Sequence, residues 1–555
     1  MRSANKVIFW SVVLFAAGTS TAELQNIEVG GKLEIYGVWY SDIFEPSWGT
    51  ERIPSFFLPY RPIGPDGTIS AYRLGDGGNE LTFVEQRTRL HVSADFTNHV
   101  AAFIEFDSID TWGEDFRSDY ITGADFRGNT SDDVELYQAF IEADQMFGLP
   151  VRLRIGRQEL EFGSGWLVGA DPGPDPFVGL SFDGLRLTTN WLGLSIDAWV
   201  TKVSEGGVAE QDGDVDFYGV YVSFTQPEEA KPSGMGLPMR LLFPGHLVYH
   251  GLTKSHLVGS LHEEDQVTFD LYWMFLRDGV GGEDTTFSAP SEWFEDLVDI
   301  DDYGPTELHT IGTRAGGHFR GWDLEAEVAY QWGYVGSIGH LFIPNGLQHG
   351  DDDATAGTWA GHVNLGYTFE IPWSPNVSVG GAYYGGEDHR GLSVYEWVNP
   401  FKRPEASVSF NRLFSSWRED AFIDVSAMTN FWKAYAAVVA TPTESIEVGG
   451  SVTYLEALQE FETPKSVSFG NWAVPLAPAL SFWTDKGARD LGWEASVWVS
   501  YAYSEDLSFE LGYAHFFTGE AFEDGSFIDY NGLSNVGGRG SDDADTIYAM
   551  TTLEF

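Results

Sequence analysis

The amino-acid sequence predicts an all-β chain: a transmembrane antiparallel β-barrel of about eighteen strands, with long outer loops and one long periplasmic connection. Three observations predict it. Hydrophobicity alternates with a period of two in segment after segment, and no helical period supplies a cover for the apolar faces. The 555 residues are 15% aromatic, yet no run beyond the N-terminus approaches the about 20 apolar residues that a membrane helix needs. Short turns and long Gly-, Pro- and Asp-rich loops alternate along the chain, with a single exception.

Residues 1–22 read as a secretory signal peptide. Arg2 and Lys6 supply the positive start, Val7 to Ala17 a short apolar core, and Ser20-Thr21-Ala22 the small residues of a cleavage site. The core is too short to span a bilayer. Its removal takes the net charge from −52 to −54 and leaves 23–555 as one barrel domain.

The strands follow from the alternation. In Leu81–Phe96, Thr88, Leu90, Val92, Ala94 and Phe96 interleave with Glu85, Arg87, Arg89, His91, Ser93 and Asp95. Val267, Phe269, Leu271, Trp273 and Phe275 stand against Gln266, Thr268, Asp270, Tyr272 and Met274. Trp322, Leu324, Ala326, Val328 and Tyr330 stand against Asp323, Glu325, Glu327, Ala329 and Gln331, and Gly492–Tyr503 repeats the pattern. One apolar face per strand, without helices, requires a solvent that accepts it, and lipid does. Further strands are expected near 27–40, 99–111, 134–145, 151–162, 181–190, 193–202, 214–225, 307–318, 357–369, 375–385, 426–440, 444–456, 507–517 and 544–555.

Short turns at 97–98, 190–192 and 319–320 alternate with long loops at 41–80, 163–180, 279–306 and 518–543, the asymmetry of an outer-membrane barrel. The exception is 226–265, a long connection where a short periplasmic turn is due. Strands of about 12 residues tilted about 40° span about 30 Å, and eighteen of them give a radius of about 18 Å, wide enough for an aqueous channel. The chain ends on Ile547, Ala549, Thr551, Leu553 and Phe555, a last strand that can pair with the first and leave no edge.

Composition narrows the function classes. No Cys is present, which excludes disulfide scaffolds, thiolate chemistry and Cys-ligated metals. Eighty-three acidic residues against 31 basic ones, with no basic cluster, exclude nucleic-acid binding. Asp212, Asp214 and Asp216 have the spacing of a calcium loop, but Phe217 and Ser223 replace its Gly and Glu, so a solvated acidic loop is expected there, as at Asp299–Asp302 and Asp351–Asp353. Gly-x-Ser-x-Gly, His-Glu-x-x-His and phosphate-binding glycine loops are all missing, and His246, His250 and His256 lack ligand spacing. Neither a cofactor nor a metal site is expected.

With the polar faces inward, Arg87, Arg89 and His91 line the lumen from one strand, Arg152 and Arg154 from another, and Arg186 and Arg314 from two more. Together they would favour anions. Inward Glu105, Asp107, Glu142, Asp270, Glu325 and Glu327 could instead neutralise them as a ladder of ion pairs, and the two readings stay open. Arg157 falls on the lipid face by strict alternation, where a charge costs about 2–4 kcal/mol at the midplane, so a bulge or a rim position is expected.

Several segments resemble the alginate-export family of outer-membrane porins: Leu153–Gly163 with Phe182–Leu187, Glu135–Phe140, Ile311–Arg314 with Ala329–Gly333, Asn411–Phe414, and Tyr513–Gly519. The resemblance implies an eighteen-stranded barrel, a long periplasmic connection after the eighth strand and an arginine-rich constriction that includes Arg157. The founding member exports alginate, a polyanion. The expectation is a non-enzymatic outer-membrane channel of a Gram-negative-type bacterium for small or polymeric solutes, anionic or carbohydrate-like. Its partners would be the solute, outer-membrane lipid and lipopolysaccharide, and the barrel-assembly machinery. Two alternatives remain: a structural or conduit barrel that docks a partner protein, and a barrel enzyme.

Overall fold

The computed structural model describes residues 24–41, 81–96, 99–112, 134–170, 179–191, 193–204, 214–225, 266–279, 305–335, 341–342, 348–349, 354–386, 394–395, 407–417, 429–460, 462–469, 472–475, 483–486, 488–523, 526–529, 534–537 and 543–555. Eighteen strands make the wall: β1 (Leu24–Ser41), β2 (Leu81–Phe96), β3 (Val100–Thr111), β4 (Glu135–Ala143), β5 (Val151–Gln158), β6 (Phe182–Trp191), β7 (Leu194–Ser204), β8 (Val215–Thr225), β9 (Gln266–Asp278), β10 (Thr306–Phe319), β11 (Trp322–Val335), β12 (Ala354–Thr368), β13 (Asn376–Tyr384), β14 (Phe431–Thr443), β15 (Ile446–Ala457), β16 (Asp490–Ala502), β17 (Leu507–Thr518) and β18 (Ala544–Glu554). Each pairs antiparallel with the next, and β18 pairs with β1 from Lys32↔Glu554 to Ser41↔Asp545. Closure satisfies the ladder groups that an open edge would leave bare in lipid.

The alternation sets the two faces. Val267, Phe269, Leu271 and Trp273 are exposed on the outside of β9, while Asp270, Tyr272 and Met274 are buried inside. Leu324, Val328 and Tyr330 face out on β11 while Glu325, Glu327 and Gln331 are buried. Among the described residues no helix is long and apolar enough to cross a membrane; the outward apolar band does that work with strands. Exposed Trp191, Phe319, Trp322, Trp373 and Tyr503 stand at the strand ends that carry the short turns, an aromatic girdle at one interface.

All eighteen expected strands form, with shifted ends. The expected strand 151–162 stops at Gln158, and that of 426–440 runs instead from Phe431 to Thr443. β8 ends at Thr225, and the 226–265 connection that follows it lies outside the described residues. So do the signal peptide, loops 42–80 and 280–304, His246, His250 and His256, Asp212, and the acidic runs at 299–302 and 351–353. Of the calcium-like spacing, Asp214 is held by Lys202 and Asp216 lies 4.0 Å from Arg277.

One expectation is corrected. The segment after β5 does not extend outward from its start: residues 159–170 turn into the barrel. Leu160, Phe162, Trp166, Leu167 and Val168 are buried there, because this stretch is too apolar to leave in water. A second segment, 407–417, turns inward from the loop between β13 and β14 and meets the first.

Candidate functional site

The inner wall from β2 to β7 is a run of basic and acidic side chains in cross-strand register. Arg87 donates to Asp107 at 2.9–3.0 Å, and Arg89 reaches the same carboxylate at 3.0 Å and Glu159 at 3.3 Å. Arg154 bonds Glu142 at 2.7 Å; Arg152 bonds Asp144 at 2.7 Å and lies 3.3 Å from Glu142. Arg186 bonds Asp197 at 2.8 Å. Glu105 accepts from Gln138 at 2.7 Å. Across the barrel, Arg314 forks onto Glu325 at 2.7 and 2.9 Å and onto Asp270 at 2.9 Å. Asp270 also accepts from Tyr221, and Glu327 from Tyr272, each at 2.7 Å, with the two tyrosine rings stacked 5.4 Å apart.

Each guanidinium on this wall therefore meets at least one carboxylate. Four of them also lie on rings: Arg89 over Tyr137 and Arg154 over Phe140, both at 4.1 Å, Arg186 over Phe162 at 5.1 Å, and Arg87 over Tyr137 at 5.8 Å. Such contacts hold a guanidinium flat and screen it from bulk water.

Arg157 is the exception. The register Arg154↔Arg186, Gly156↔Gly184 and Gln158↔Phe182 runs along the inner face, which places Arg157 and its partner Asp183 on the outer face with Ile155 and Leu185. Arg157 bonds both Asp183 oxygens at 2.9 Å and the Leu136 carbonyl at 3.3 Å. This is the position alternation alone gives, not the inward one the family resemblance implied. It lies near the outer ends of β5 and β6, and the carboxylate beside it lowers the cost of a charge on that face.

The two inward segments complete the site. Phe162 stacks on Trp199 at 4.4 Å and on Tyr221 at 5.2 Å, against β7 and β8. Four residues later the Trp166 indole donates to the Tyr384 hydroxyl at 2.6 Å, against β13. The first segment thus crosses the lumen between these parts of the wall. Gly163 permits the crossing: its φ is +59°, and a Cβ there would stand 2.6 Å from the Tyr221 hydroxyl and 3.1 Å from Arg314 Cδ.

The second segment locks onto the first through backbone and side chains. Gly169 N donates to Phe414 O and Phe414 N to Leu167 O, both at 2.9 Å, and Trp417 Nε1 donates to Ser164 O at 2.8 Å. Gln331 on β11 grips Asn411 by both its N–H and C=O, at 2.8 and 2.6 Å. Arg412 is fully buried 4.7 Å from the Tyr384 ring centre and donates to Ser415 Oγ and the Trp417 carbonyl. One apolar cluster joins both segments to the inner wall from β6 round to β18, so the lumen is narrowed by packed chain rather than by arginines alone.

Arg412 and His362 are functional candidates that spacing in the sequence did not mark. Arg412 sits in the Asn411–Phe414 segment that carried a family resemblance, but no strand period runs through it. His362, on β12, pairs in register with Glu327 on β11, and a sequence separation of this size gives no ligand spacing to read.

A closed barrel with a lipid-facing apolar band, a polar inner wall and a lumen narrowed from within is an outer-membrane channel for solutes. The chain belongs to the alginate export family, whose pattern matches residues 69–234 and 257–530. No curated protein matches it. Among solved structures it is similar to OpdQ of Pseudomonas aeruginosa, at 10% identity over 95% of this chain and 97% of that one with a TM-score of 0.42. It is similar also to OpdO of the same organism, at 10% identity over 95% and 97% with a TM-score of 0.43. OccAB4 of Acinetobacter baumannii matches at 9% identity over 95% and 98%, with a TM-score of 0.41. Likenesses at this level add nothing to what the barrel itself shows.

Proposed function

We propose that this channel passes carbohydrate-like solutes, uronic acids among them, by facilitated diffusion and without bond chemistry. The observation that carries this reading is the neutralised, ring-backed wall: Arg89, Arg154 and Arg186 each contact both a carboxylate and an aromatic face. A polyhydroxylated solute finds donors, acceptors and apolar faces there within a few ångströms of one another, the mixture that sugar hydroxyls and C–H faces use. A wall in which every arginine contacts an acid, in a chain of net charge −52, offers little long-range attraction to a polyanion. In this account Arg87, Arg89, Arg152, Arg154, Arg186 and Arg314, with their carboxylate partners, are the pore-lining set, and Arg157 braces the outer face. Lipid and lipopolysaccharide surround the apolar band, the barrel-assembly machinery inserts it, and residues 1–22 are cleaved on export. Residues 226–265 stand on the periplasmic side.

Swelling of proteoliposomes in isotonic solutes tests the reading. Neutral disaccharides should enter at rates comparable to a uronate of similar size. Entry of the uronate alone would reinstate a positive filter. A folded barrel that passes neither would favour the second reading, a conduit closed by the segments 159–170 and 407–417, for which their dense packing across the lumen speaks.

A further inference from the structure

Glu327 and His362 are cross-strand partners on β11 and β12, and both point into the barrel. Glu327 uses Oε1 to accept from Tyr272. Its Oε2 faces His362 Nε2 at 3.7 Å, beyond hydrogen-bond range. Neither of these two atoms has a hydrogen-bond partner among the described residues, although the side chains are only 5% and 2% exposed. Leaving a buried carboxylate oxygen and an imidazole nitrogen aimed at each other across such a gap is costly. Something that takes electron pairs from both would remove the cost.

A third donor stands beside them. Glu325 lies two residues earlier on the same face of β11, and one ligand atom from each of Glu325, Glu327 and His362 falls within 4.8 Å of the others. Donors around a tetrahedral ion with bonds of about 2.1 Å stand about 3.4 Å apart. The Glu327–His362 spacing, 3.7 Å, is close to that, and Glu325, within 4.8 Å of both, has at most about 1.4 Å to close. Glu325 already accepts from Arg314 through both oxygens, but a carboxylate offers about four lone-pair sites, so the same group can serve an ion while Arg314 holds it from behind. The local charge also suits a cation. Asp270 and Glu325 hold the guanidinium of Arg314, Glu327 is its cross-strand register partner, and Lys433 stands two strands beyond His362 in register through Ala382.

We propose that Glu327 and His362, with Glu325, bind one divalent first-row transition ion of the zinc type, and that the ion fastens the constriction. Two carboxylates and an imidazole suit such an ion better than calcium or magnesium, which prefer oxygen alone. The fastening follows from what His362 touches. Its ring lies 5.0 Å from Trp166 and 4.2 Å from Trp417, one tryptophan from each inward segment. An ion on Nε2 fixes the ring, and the ring is the surface on which both segments rest. Nothing in this depends on which solute the channel carries.

The test uses the full chain in detergent, stripped with a chelator and kept in excess magnesium to occupy the acidic loops, then titrated with zinc in a calorimeter. One saturable zinc per barrel is expected, with affinity at least tenfold weaker in His362→Gln and in Glu327→Gln. Zinc should also reduce current noise from the segments in wild type and not in His362→Gln. No saturable binding above magnesium, or wild-type affinity in both variants with the barrel intact by heat-modified gel mobility, would overturn the site and leave an ordinary Glu–His contact. Should the variants fail to fold, X-ray absorption of cobalt-loaded wild type decides: an imidazole in the coordination shell supports the site, and an all-oxygen shell refutes it.

Discussion

Trp166 is the point at which the first inward segment is pinned to the far wall, so Trp166→Ala should loosen the constriction while leaving the barrel standing. The indole is fully buried, lies against His362, Tyr384 and Phe410, and donates to Tyr384 at 2.6 Å. Truncating a buried Trp to Ala costs about 3–5 kcal/mol, including about 1 kcal/mol for the hydrogen bond. The strand ladders do not pass through Trp166, so the loss falls on docking of the segment. At about 1.4 kcal/mol per factor of ten, even the lower figure moves the docked equilibrium more than a hundredfold. Single-channel recording in planar bilayers should then show larger conductance steps or long-lived open substates. Gel mobility of the unheated protein should still report a folded barrel. Conductance and noise identical to wild type, with the substitution confirmed, would refute the assignment of 159–170 as the constriction.

Other perturbations have equally definite outcomes. Glu142→Gln removes the carboxylate shared by Arg152 and Arg154, so the permeability ratio should shift toward anions, read from reversal potentials in a salt gradient. Arg314→Met leaves Asp270 and Glu325 buried without their guanidinium, a loss of about 3–5 kcal/mol that should lower the temperature at which gel mobility changes. Gly31→Val places a Cβ 2.7 Å from the Arg89 carbonyl and 2.8 Å from the Phe555 ring, at the seam where β1 exchanges backbone bonds with Phe555. That overpacking, about 1–3 kcal/mol, should reduce the folded fraction in a refolding assay into detergent or lipid, whereas Gly37→Val, with only Val84 nearby at 3.6 Å, should not.

The wall was legible in the sequence because lipid outside and water inside impose a period of two that nothing else in the chain mimics. Val267 to Phe275 and Trp322 to Tyr330 carry that period almost without interruption, and the inward positions of Arg87, Arg89, Arg154 and Arg186 follow by parity. Arg157 shows the rule's strength: alternation placed it outward, and the structure keeps it there with Asp183. The inward segments were not legible, since Leu160 to Ala170 and Ser409 to Trp417 have no strand period, and their burial depends on tertiary contacts such as Gln331–Asn411 and Gly169–Phe414. His362 was hidden for a related reason, because its partners Glu325 and Glu327 become neighbours only through the β11–β12 register.

The central claim is that this barrel is a solute channel narrowed from within by two docked segments. The most direct test is single-channel conductance of the purified chain in planar bilayers. The account predicts discrete, resolvable steps well below those of an unobstructed bore of about 18 Å radius. Steps of full-bore size would contradict the inward segments, and the absence of any steps from a folded barrel would contradict the channel itself.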